Sequence, residues 1–225
     1  MHQTSRLTVF TGHFGSGKTE IALNYSIRLA RRGETVTIVD LDIVNPFFRS
    51  SEAKDVLNRE GVRVLAPTFA GTTVDVPSLP SEIYAVFQDK RSRVVFDVGG
   101  DEKGAAVLGR YHPYFNSEPY DMFYVINTKR PLSGHAEQVI NTLKAVELNS
   151  RLKVTHLINN TNLMHETTIE HILEGQDVVE HVSGELNIPV AYISGIPAVL
   201  ALLPHKYREK GFPIELYMHP PWDMN

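Results

Sequence analysis

The sequence between residues 12 and 19 reads Gly12-His13-Phe14-Gly15-Ser16-Gly17-Lys18-Thr19. Two glycines separated by four residues and followed by Lys-Thr form the pattern of a phosphate-binding loop. The preceding Leu7-Thr8-Val9-Phe10 predicts a short buried strand. A glycine-rich turn can end in Gly-Lys-Thr by chance, but the flanking elements favour a loop that grips a nucleoside triphosphate. The helix expected after the loop has its apolar residues at near-helical spacing: Ile21, Ala22, Tyr25 and Leu29.

Each part of this loop has an expected role at a phosphate chain. The glycines let the backbone curl so that N–H groups point inward, and the following helix adds the positive end of its dipole. Lys18 is expected to bridge the β- and γ-phosphates, and the Thr19 hydroxyl to complete a magnesium shell. The expected nucleotide contacts are the loop and the residue after it: Gly12, His13, Phe14, Gly15, Ser16, Gly17, Lys18, Thr19 and Glu20.

The composition limits the classes of protein to consider. A chain of 225 residues, 42% of them hydrophobic, suits one nucleotide-binding domain over residues 1-225. Its net charge of −4 gives no clear signal for nucleic acid or membrane. The sequence has no cysteine, which excludes disulfides and cysteine-ligated metal centres within it. It shows no signal-peptide core and no membrane-spanning apolar run, so we expect a cytoplasmic protein.

Short apolar strands alternate with helical patterns along the rest of the chain. This alternation predicts an α/β fold of the P-loop NTPase kind, with a doubly wound, mostly parallel sheet and helices on both faces. A helix capped by Ser133 and a longer one near Thr167–Asn187 are among the predicted elements. Residues 67–80 are expected to form an exposed excursion, and the tail after Arg208 has no functional interpretation. The later strands are predicted at residues 35–39, 62–65, 93–97, 122–126, 154–158 and 190–193.

Acidic residues end two of the predicted strands. Ligands of a doubly wound sheet lie at the carboxyl ends of its strands, so these acids are candidate site residues. Asp97 follows Val94-Val95-Phe96 in the Walker B arrangement and is expected to hold magnesium. Of Asp40 and Asp42, we choose Asp42 to hold magnesium or orient the attacking water, with a capping or loop acid as the alternative.

Three other ligand classes fit the sequence less well. A Rossmann dinucleotide site requires a third glycine, which the stretch from Gly15 to Glu20 lacks. Guanine recognition requires an acid where Thr128-Lys129-Arg130-Pro131 has proline. The pair His165-Glu166 and the later His171 have the wrong spacing for two zinc ligands on one helical face.

The order of these motifs resembles that of the MinD/ParA-type P-loop ATPases, which have a deviant Walker A loop and include nitrogenase iron protein and the Mrp-type scaffolds. Besides the loop, the resemblance rests on residues 40–46 (Asp-Leu-Asp-Ile-Val-Asn-Pro) and on Asp97-Val98-Gly99-Gly100. It continues through Val125-Ile126-Asn127-Thr128, Leu157-Ile158-Asn159-Asn160 and Gly195-Ile196-Pro197.

The resemblance implies a parallel-sheet ATPase that binds ATP with Mg2+, hydrolyses it to ADP by an activated water and often forms an ATP-sandwiched homodimer. It also implies that Asn159 or Asn160 reads the adenine edge, with Ile196 and Pro197 near the base. A structural turn asparagine is an alternative account of Asn159 and of Asn160. A protein partner is expected, but its identity is unknown.

The sequence departs from this family at the start of the loop. The signature lysine, which reaches across the dimer to the partner's phosphates, would stand at position 13, where this sequence has His13, and Phe14 replaces a glycine. Neutral imidazole supplies no permanent cation, which speaks against trans-stimulated hydrolysis and a standard sandwich dimer. The lack of cysteine likewise argues against an iron–sulfur carrier.

Three functions are compatible with these features. The first is a magnesium-dependent ATPase that acts as a nucleotide-dependent switch, with Lys18 and Asp42 as its catalytic residues. The second is an ATP-dependent small-molecule ligase or kinase of the dethiobiotin synthetase type, whose acceptor pocket would use Thr68–Pro80 and Arg110–Tyr120. The third is a binding module that holds ATP without hydrolysing it, an alternative kept open by His13.

Overall fold

The structure is a computed structural model, and it describes residues 5–42, 51–66, 81–100 and 102–218. The strands are β1 (Leu7–Thr11), β2 (Val36–Asp40), β3 (Val62–Leu65), β4 (Arg93–Asp97), β5 (Tyr120–Ile126), β6 (His156–Asn159), β7 (Val190–Gly195) and β8 (Gly211–Pro213). The helices are α1 (Lys18–Ala30), α2 (Ser51–Arg59), α3 (Ser81–Gln88), α4 (Glu102–Gly109), α5 (His112–Phe115), α6 (Ala136–Ser150), α7 (Ile169–Leu186) and α8 (Pro197–Leu200).

The strands form one sheet in the order β3-β2-β4-β1-β5-β6-β7-β8, and all neighbouring pairs are parallel. β1 and β2 are buried along their whole length, because helices cover both faces of the sheet. This explains why the central strands are nearly continuous apolar runs. The predicted α/β fold with a doubly wound sheet is confirmed.

Two apolar clusters lie on opposite faces of the sheet. On one face, α1 packs with Leu57 of α2 against the inner strands, and Phe212 and Ile214 join this cluster from the end of the chain. On the other face, residues of α3 to α7 form the larger cluster, which includes Phe87, Phe115 and other aromatic side chains. Helices therefore lie on both faces, as predicted. None of the helices in the described ranges combines the length and apolar character needed to cross a membrane.

The prediction for Ser133 needs correction, and some elements were not predicted. Ser133 does not cap α6, which begins at Ala136 with His135 as its N-cap residue. The chain does not leave the sheet after β7, because residues 211–213 pair with β7 as the edge strand β8. Proline is tolerated there because Pro213 lies on an edge strand. Helices α4 and α5 were not predicted at all.

Some predictions fall outside the described residues. The loop at residues 43–49, the excursion at 67–80 and the last residues of the chain, 219–225, belong to this group.

The strand register positions the candidate site. Asp40, the last residue of β2, pairs with Asp97, the last residue of β4. Asp97 also pairs with Phe10 of β1, one residue before the end of that strand. The loop after β1 therefore begins beside two carboxylates at the carboxyl edge of the sheet.

Candidate phosphate-binding site

The loop between β1 and α1 curls over the carboxyl edge of the sheet. Gly17 is the N-cap residue of α1, with φ of 83°, and Gly15 has φ of 75°. Only glycine adopts this left-handed region at no steric cost. A Cβ on Gly17 would also lie 2.2 Å from Nδ2 of Asn160, so both backbone conformation and space require glycine at this position.

Side chains from two other loops hold the carbonyl groups of this loop. The Nδ2 of Asn160, which follows β6, donates to the Ser16 carbonyl at 2.7 Å. Oγ of Ser194 in β7 donates in turn to Oδ1 of Asn160 at 2.7 Å. Nε of Arg130, from the loop after β5, donates to the Gly15 carbonyl at 3.2 Å.

Four N–H groups of the same loop have no hydrogen-bond partner within the described ranges, whereas the Ser16 N–H donates to the His13 carbonyl at 3.0 Å. Among the described residues, none accepts a hydrogen bond from the N–H groups of Gly15, Gly17, Lys18 or Thr19. The last two belong to the first turn of α1, where the N–H groups have no intrahelical partner and the helix dipole is positive. The loop thus has carbonyls that are already hydrogen-bonded and N–H groups without described partners. Such an arrangement is suited to binding an anion.

Lys18 is buried beside carboxylates. Its Nζ lies 2.9 Å from Oδ2 of Asp42, and both side chains are almost inaccessible to solvent. Burial lowers the pKa of the Lys18 ammonium, but the carboxylates of Asp97, Asp42 and Asp40 outweigh burial, so the net shift is upward. Lys18 is therefore held as a cation, as a phosphate ligand requires.

Asp97 has one bonded and one unbonded carboxylate oxygen. Oγ1 of Thr19 donates to Oδ2 of Asp97 at 2.7 Å. Oδ1 is buried and has no hydrogen-bond partner among the described residues. Burial raises the pKa of Asp97 to about 6, although Lys18 and the Thr19 hydroxyl act in the opposite direction. A carboxylate oxygen buried without a partner requires a hydrogen-bond donor or a cation.

The donors at this site fit Mg2+. Hydroxyl and carboxylate oxygens of Thr19, Asp97 and Asp42 are ligands that Mg2+ prefers. Across the described ranges, no cluster of three or more His, Cys, Asp or Glu side chains is placed to hold a metal ion by itself. Mg2+ at nucleotide sites is usually bound through one or two carboxylates together with phosphate oxygens.

The segment after β4 packs directly against the start of the loop. A Cβ on Gly100 would lie 1.7 Å from the Gly12 carbonyl oxygen, a distance that no side chain can accommodate. The backbone at Gly100, three residues after Asp97, thus packs against the start of the loop at Gly12.

His13 and Phe14 lie on the outside of the loop. Nδ1 of His13 is 3.1 Å from the Phe14 carbonyl oxygen. The Phe14 side chain is 68% exposed. Their side chains have no other described partner in the protein, and any part that they play in nucleotide binding stays a prediction.

Glu20 is placed differently from its predicted role. Its side chain is buried, and its two carboxylate oxygens accept hydrogen bonds from the N–H groups of Tyr217 and Met218, at 2.8 and 3.1 Å. The Glu20 side chain therefore binds the C-terminal segment of the chain, and any contact of Glu20 with a nucleotide stays a prediction.

The two asparagines after Ile158 serve the protein itself in this structure. Asn159 is fully buried, and its Nδ2 donates to the Ile172 carbonyl and to Oε1 of Gln176 in α7. Asn160 braces the loop at Ser16. These contacts fit the structural alternative, and a role of Asn159 or Asn160 in reading adenine stays a prediction.

Ile196 and Pro197 follow β7 at the same edge of the sheet. Ile196 is 38% exposed, and Pro197 begins α8. Pro197 lines a groove of about 400 Å3 that it shares with Asn24 and Tyr217, among other residues. Both residues are accessible, and their place near a base stays a prediction.

The structure contradicts the acceptor pocket expected at Arg110–Tyr120. Tyr111 and Phe115 in this stretch are fully buried in the core. Tyr120 begins β5 and pairs with Leu7 at the start of β1, so this stretch lies at the amino edge of the sheet. Lys18 lies at the opposite edge. The other half of the expected pocket, Thr68–Pro80, is outside the described residues.

Arg130 and Ser194 also belong to this site, although the sequence motifs did not predict a role for either residue. Both lie in or directly after strands whose carboxyl ends face the loop. That position was the available signal, because each loop after a strand of a parallel sheet opens on the same edge.

No protein-family model and no curated protein matches this sequence. Solved structures do share its fold. Chloroplast FtsY from Physcomitrella patens is 18% identical with a TM-score of 0.56, over 83% of this chain and 57% of that one. The cell division protein FtsY from Thermotoga maritima is 16% identical with a TM-score of 0.55, over 93% of this chain and 65% of that one.

A third structure is the signal recognition particle 54 kDa protein from Aeropyrum pernix in complex with GDP. It is 17% identical with a TM-score of 0.55, over 86% of this chain and 42% of that one. This chain therefore spans between 42% and 65% of the length of these three structures. The likeness establishes the P-loop NTPase fold. It does not confirm the finer resemblance to MinD/ParA-type ATPases, which stays a prediction.

Proposed function

We propose that this chain binds ATP with Mg2+ and hydrolyses it as a nucleotide-dependent switch. The observation that carries this proposal is the loop at residues 12–19, where free N–H groups surround a buried lysine. The Thr19–Asp97 pair beside it has the oxygen donors that a magnesium nucleotide requires. The shared P-loop NTPase fold supports the same conclusion.

Each charged side chain has a proposed task. Lys18 leaves Asp42 for the β- and γ-phosphates, because a triphosphate offers more negative charge than one carboxylate. Thr19, Asp97 and Asp42 would hold Mg2+, which neutralises charge on the phosphates when it is bound. Asp42, once Lys18 has moved to the phosphates, would accept a hydrogen bond from the attacking water. The Lys18–Asp42 pair thereby links phosphate binding to the end of β2.

Adenine is the proposed base. Guanine presents N–H donors that a protein usually binds with a carboxylate. The segment at the end of β6, Asn159-Asn160-Thr161-Asn162, contains no acid, which favours adenine. The oxygen of Asn162 accepts a hydrogen bond from the Met164 N–H at 3.3 Å. Parallel titrations with ATP and GTP decide between the two bases.

A homodimer and an unidentified protein partner remain part of the proposal. His13 in place of the signature lysine argues against a partner-supplied cation at this position. Size-exclusion chromatography with and without a non-hydrolysable ATP analogue distinguishes a dimerising switch from a chain that stays a monomer.

The first test removes the Lys18 amine. Lys18→Ala is expected to weaken binding of Mg-ATP by about tenfold to a hundredfold in calorimetry, because hydrogen bonds between charged groups are worth about 1.5–3 kcal/mol. Lys90→Ala is the matched control, since Lys90 pairs with Glu118 at the amino edge of the sheet. Circular dichroism verifies that both variants are folded. Unchanged ATP affinity in a folded Lys18→Ala protein contradicts the proposal.

Phosphate release separates the switch from the non-hydrolysing module. Asp42→Asn is expected to bind Mg-ATP more weakly and to lose hydrolysis even at saturating Mg-ATP, because an amide is a poor magnesium ligand and does not take a proton from water. If the wild-type chain binds Mg-ATP and releases no phosphate, it is an ATP-binding module.

A further inference from the structure

Arg130 lies over the outer rim of the phosphate-binding loop. It belongs to the loop after β5, and its Nε donates to the Gly15 carbonyl at 3.2 Å. The Cδ and Cγ atoms of Arg130 approach the same glycine, at 3.5 and 3.8 Å from the place where a Cβ would stand. The side chain is otherwise exposed to solvent.

The backbone that presents Arg130 is fixed. Asn127 is buried, and its Oδ1 accepts hydrogen bonds from the N–H groups of Lys129 and Asn162, at 3.0 and 3.2 Å. The N–H of Arg130 donates to the Asn127 carbonyl at 3.1 Å. Leu132 completes this turn in the left-handed region with φ of 61°, a conformation that leucine rarely adopts. Such backbone strain is characteristic of functional loops.

The terminal nitrogens of the Arg130 guanidinium have no hydrogen-bond partner in the part of the chain that the structure describes. Nε is the only atom of this side chain with a hydrogen-bond partner among the described residues, and no carboxylate in those ranges pairs with it. The neighbouring Lys129, in contrast, is bound to Glu174 at 2.6 Å. A guanidinium that is anchored by one nitrogen and open at two others is suited to phosphate oxygens.

We propose that Arg130 is a second phosphate cation, supplied by the chain itself. This inference rests on the proposed function. The loop has one buried cation, Lys18, and His13 offers no permanent charge. Arg130 is always charged and contacts the Gly15 carbonyl from the loop after β5, without requiring a second subunit.

This placement assigns Arg130 to the outer end of the phosphate chain. The free N–H groups of the loop and the start of α1 cradle the inner phosphates, as the loop pattern implies. A cation on the outer rim neutralises the charge by which ATP exceeds ADP. Arg130 therefore favours ATP over ADP.

The test compares the affinities of Arg130 variants for a non-hydrolysable ATP analogue and for ADP, by calorimetry with Mg2+. Arg130→Ala is expected to weaken binding of the analogue by about tenfold and to change ADP affinity by less than about threefold. Arg130→Lys keeps the charge and is expected to retain part of the preference for the analogue. Lys90→Ala removes a positive charge at the amino edge and is the control for net charge.

The outcomes distinguish this inference from the proposed function. An equal loss for both nucleotides shows that Arg130 only braces the Gly15 carbonyl, and unchanged affinities show that it contributes nothing; each overturns the inference while ATP binding stands. Failure of the wild-type chain to bind any nucleotide overturns the proposed function and this inference with it. Thermal unfolding confirms that the variants are folded, as expected for an exposed side chain.

Discussion

Asp97 is a buried acid in which stability and the proposed chemistry oppose each other. Its Oδ2 accepts the Thr19 hydroxyl, while Oδ1 is buried without a described partner. Burial raises its pKa from the ordinary 3.8 to about 6. A raised carboxyl pKa means that the folded chain binds a proton more tightly than the unfolded chain. Stability therefore falls as pH rises from about 4 to about 6 and stays low above that window.

Asp97→Asn is expected to stabilise the nucleotide-free protein above pH 6. A shift of about two pKa units corresponds to at most about 3 kcal/mol in the free energy of unfolding. The gain should shrink as pH falls from 6 to 4, because the wild-type carboxyl becomes protonated in the folded state while the unfolded state keeps its ordinary pKa of 3.8. Urea denaturation at a series of pH values measures this difference.

The exposed Asp177→Asn in α7 is the control for this experiment, and its stability should not differ from that of the wild type in a pH-dependent way. An Asp97→Asn protein that is less stable than the wild type from pH 6 to 8 would contradict the expectation. The same variant should bind Mg-ATP more weakly, because an amide is a poor magnesium ligand.

Single residues differ in how far the sequence predicts their roles. The tasks of Lys18, Thr19 and Asp97 follow from a motif and from a position at a strand end, and the structure brings all three together. The partners of Glu20 and Asn160 do not follow from any local pattern. Their hydrogen bonds join residues 197 and 144 positions apart in the sequence, so only the fold determines them.

The segments after β4 and β1 pack against each other backbone to backbone. Gly100, after β4, lies against Gly12, after β1, and a Cβ would stand 1.7 Å from the Gly12 carbonyl oxygen. This contact exists because β4 and β1 are neighbours in the sheet and end at the same level.

Gly100→Ala is expected to displace the loop. Because the obstructing atom is backbone rather than a flexible side chain, the loop itself must move, and ATP affinity should fall by at least about tenfold. Calorimetry measures the affinity. Gly184→Ala is the matched control, since Gly184 is in α7 and a Cβ there meets nothing within 4 Å. That control should bind ATP normally and gain slightly in stability from the higher helix propensity of alanine.

Retention of full ATP affinity in a folded Gly100→Ala protein would show that the loop tolerates the displacement.

Elements with strong periodicity were predicted within a few residues, and weak ones were not. The strands before Thr11 and Asp97 have the continuous apolar character of buried parallel strands, which is a local property. β8 has only the residues Gly211, Phe212 and Pro213, and its pairing with β7 defines it as a strand. α4 contains two glycines, which weaken any helical pattern.

At the scale of the whole molecule, the first helix holds the end of the described chain. Nδ2 of Asn24 donates to the Glu215 carbonyl at 2.9 Å, and Oδ1 of Asn24 accepts the Glu215 N–H at 2.8 Å. The Glu20 carboxylate accepts hydrogen bonds from the N–H groups of Tyr217 and Met218. The segment after β8 is thereby fastened to the helix that begins with Lys18.

Asn24→Ala is expected to lower the free energy of unfolding by about 2 kcal/mol, because it removes both hydrogen bonds to Glu215 and leaves two backbone groups without partners. Limited proteolysis should also cleave the C-terminal segment faster. Urea denaturation measures the first effect and mass spectrometry of the fragments measures the second. Asn149→Ala is the control, since the hydrogen bond that Nδ2 of Asn149 donates among the described residues stays within α6, to the Ala145 carbonyl.

Equal stability of Asn24→Ala and Asn149→Ala would show that the fastening contributes nothing measurable.

Local patterns sufficed for the alternation of strands and helices, the phosphate-binding loop and the acids at the strand ends. These features depend on the spacing of apolar residues and on the conformational freedom of glycine. Both are local properties, set by residues that are close in the sequence. Only the tertiary structure decided the strand order. The same holds for the hydrogen bonds of Asn160 and Arg130 to the loop and for those of Glu20 and Asn24 to the C-terminal segment. Each of them depends on which distant strands pair and in what register, and that choice minimises the free energy of the entire core rather than of any one segment.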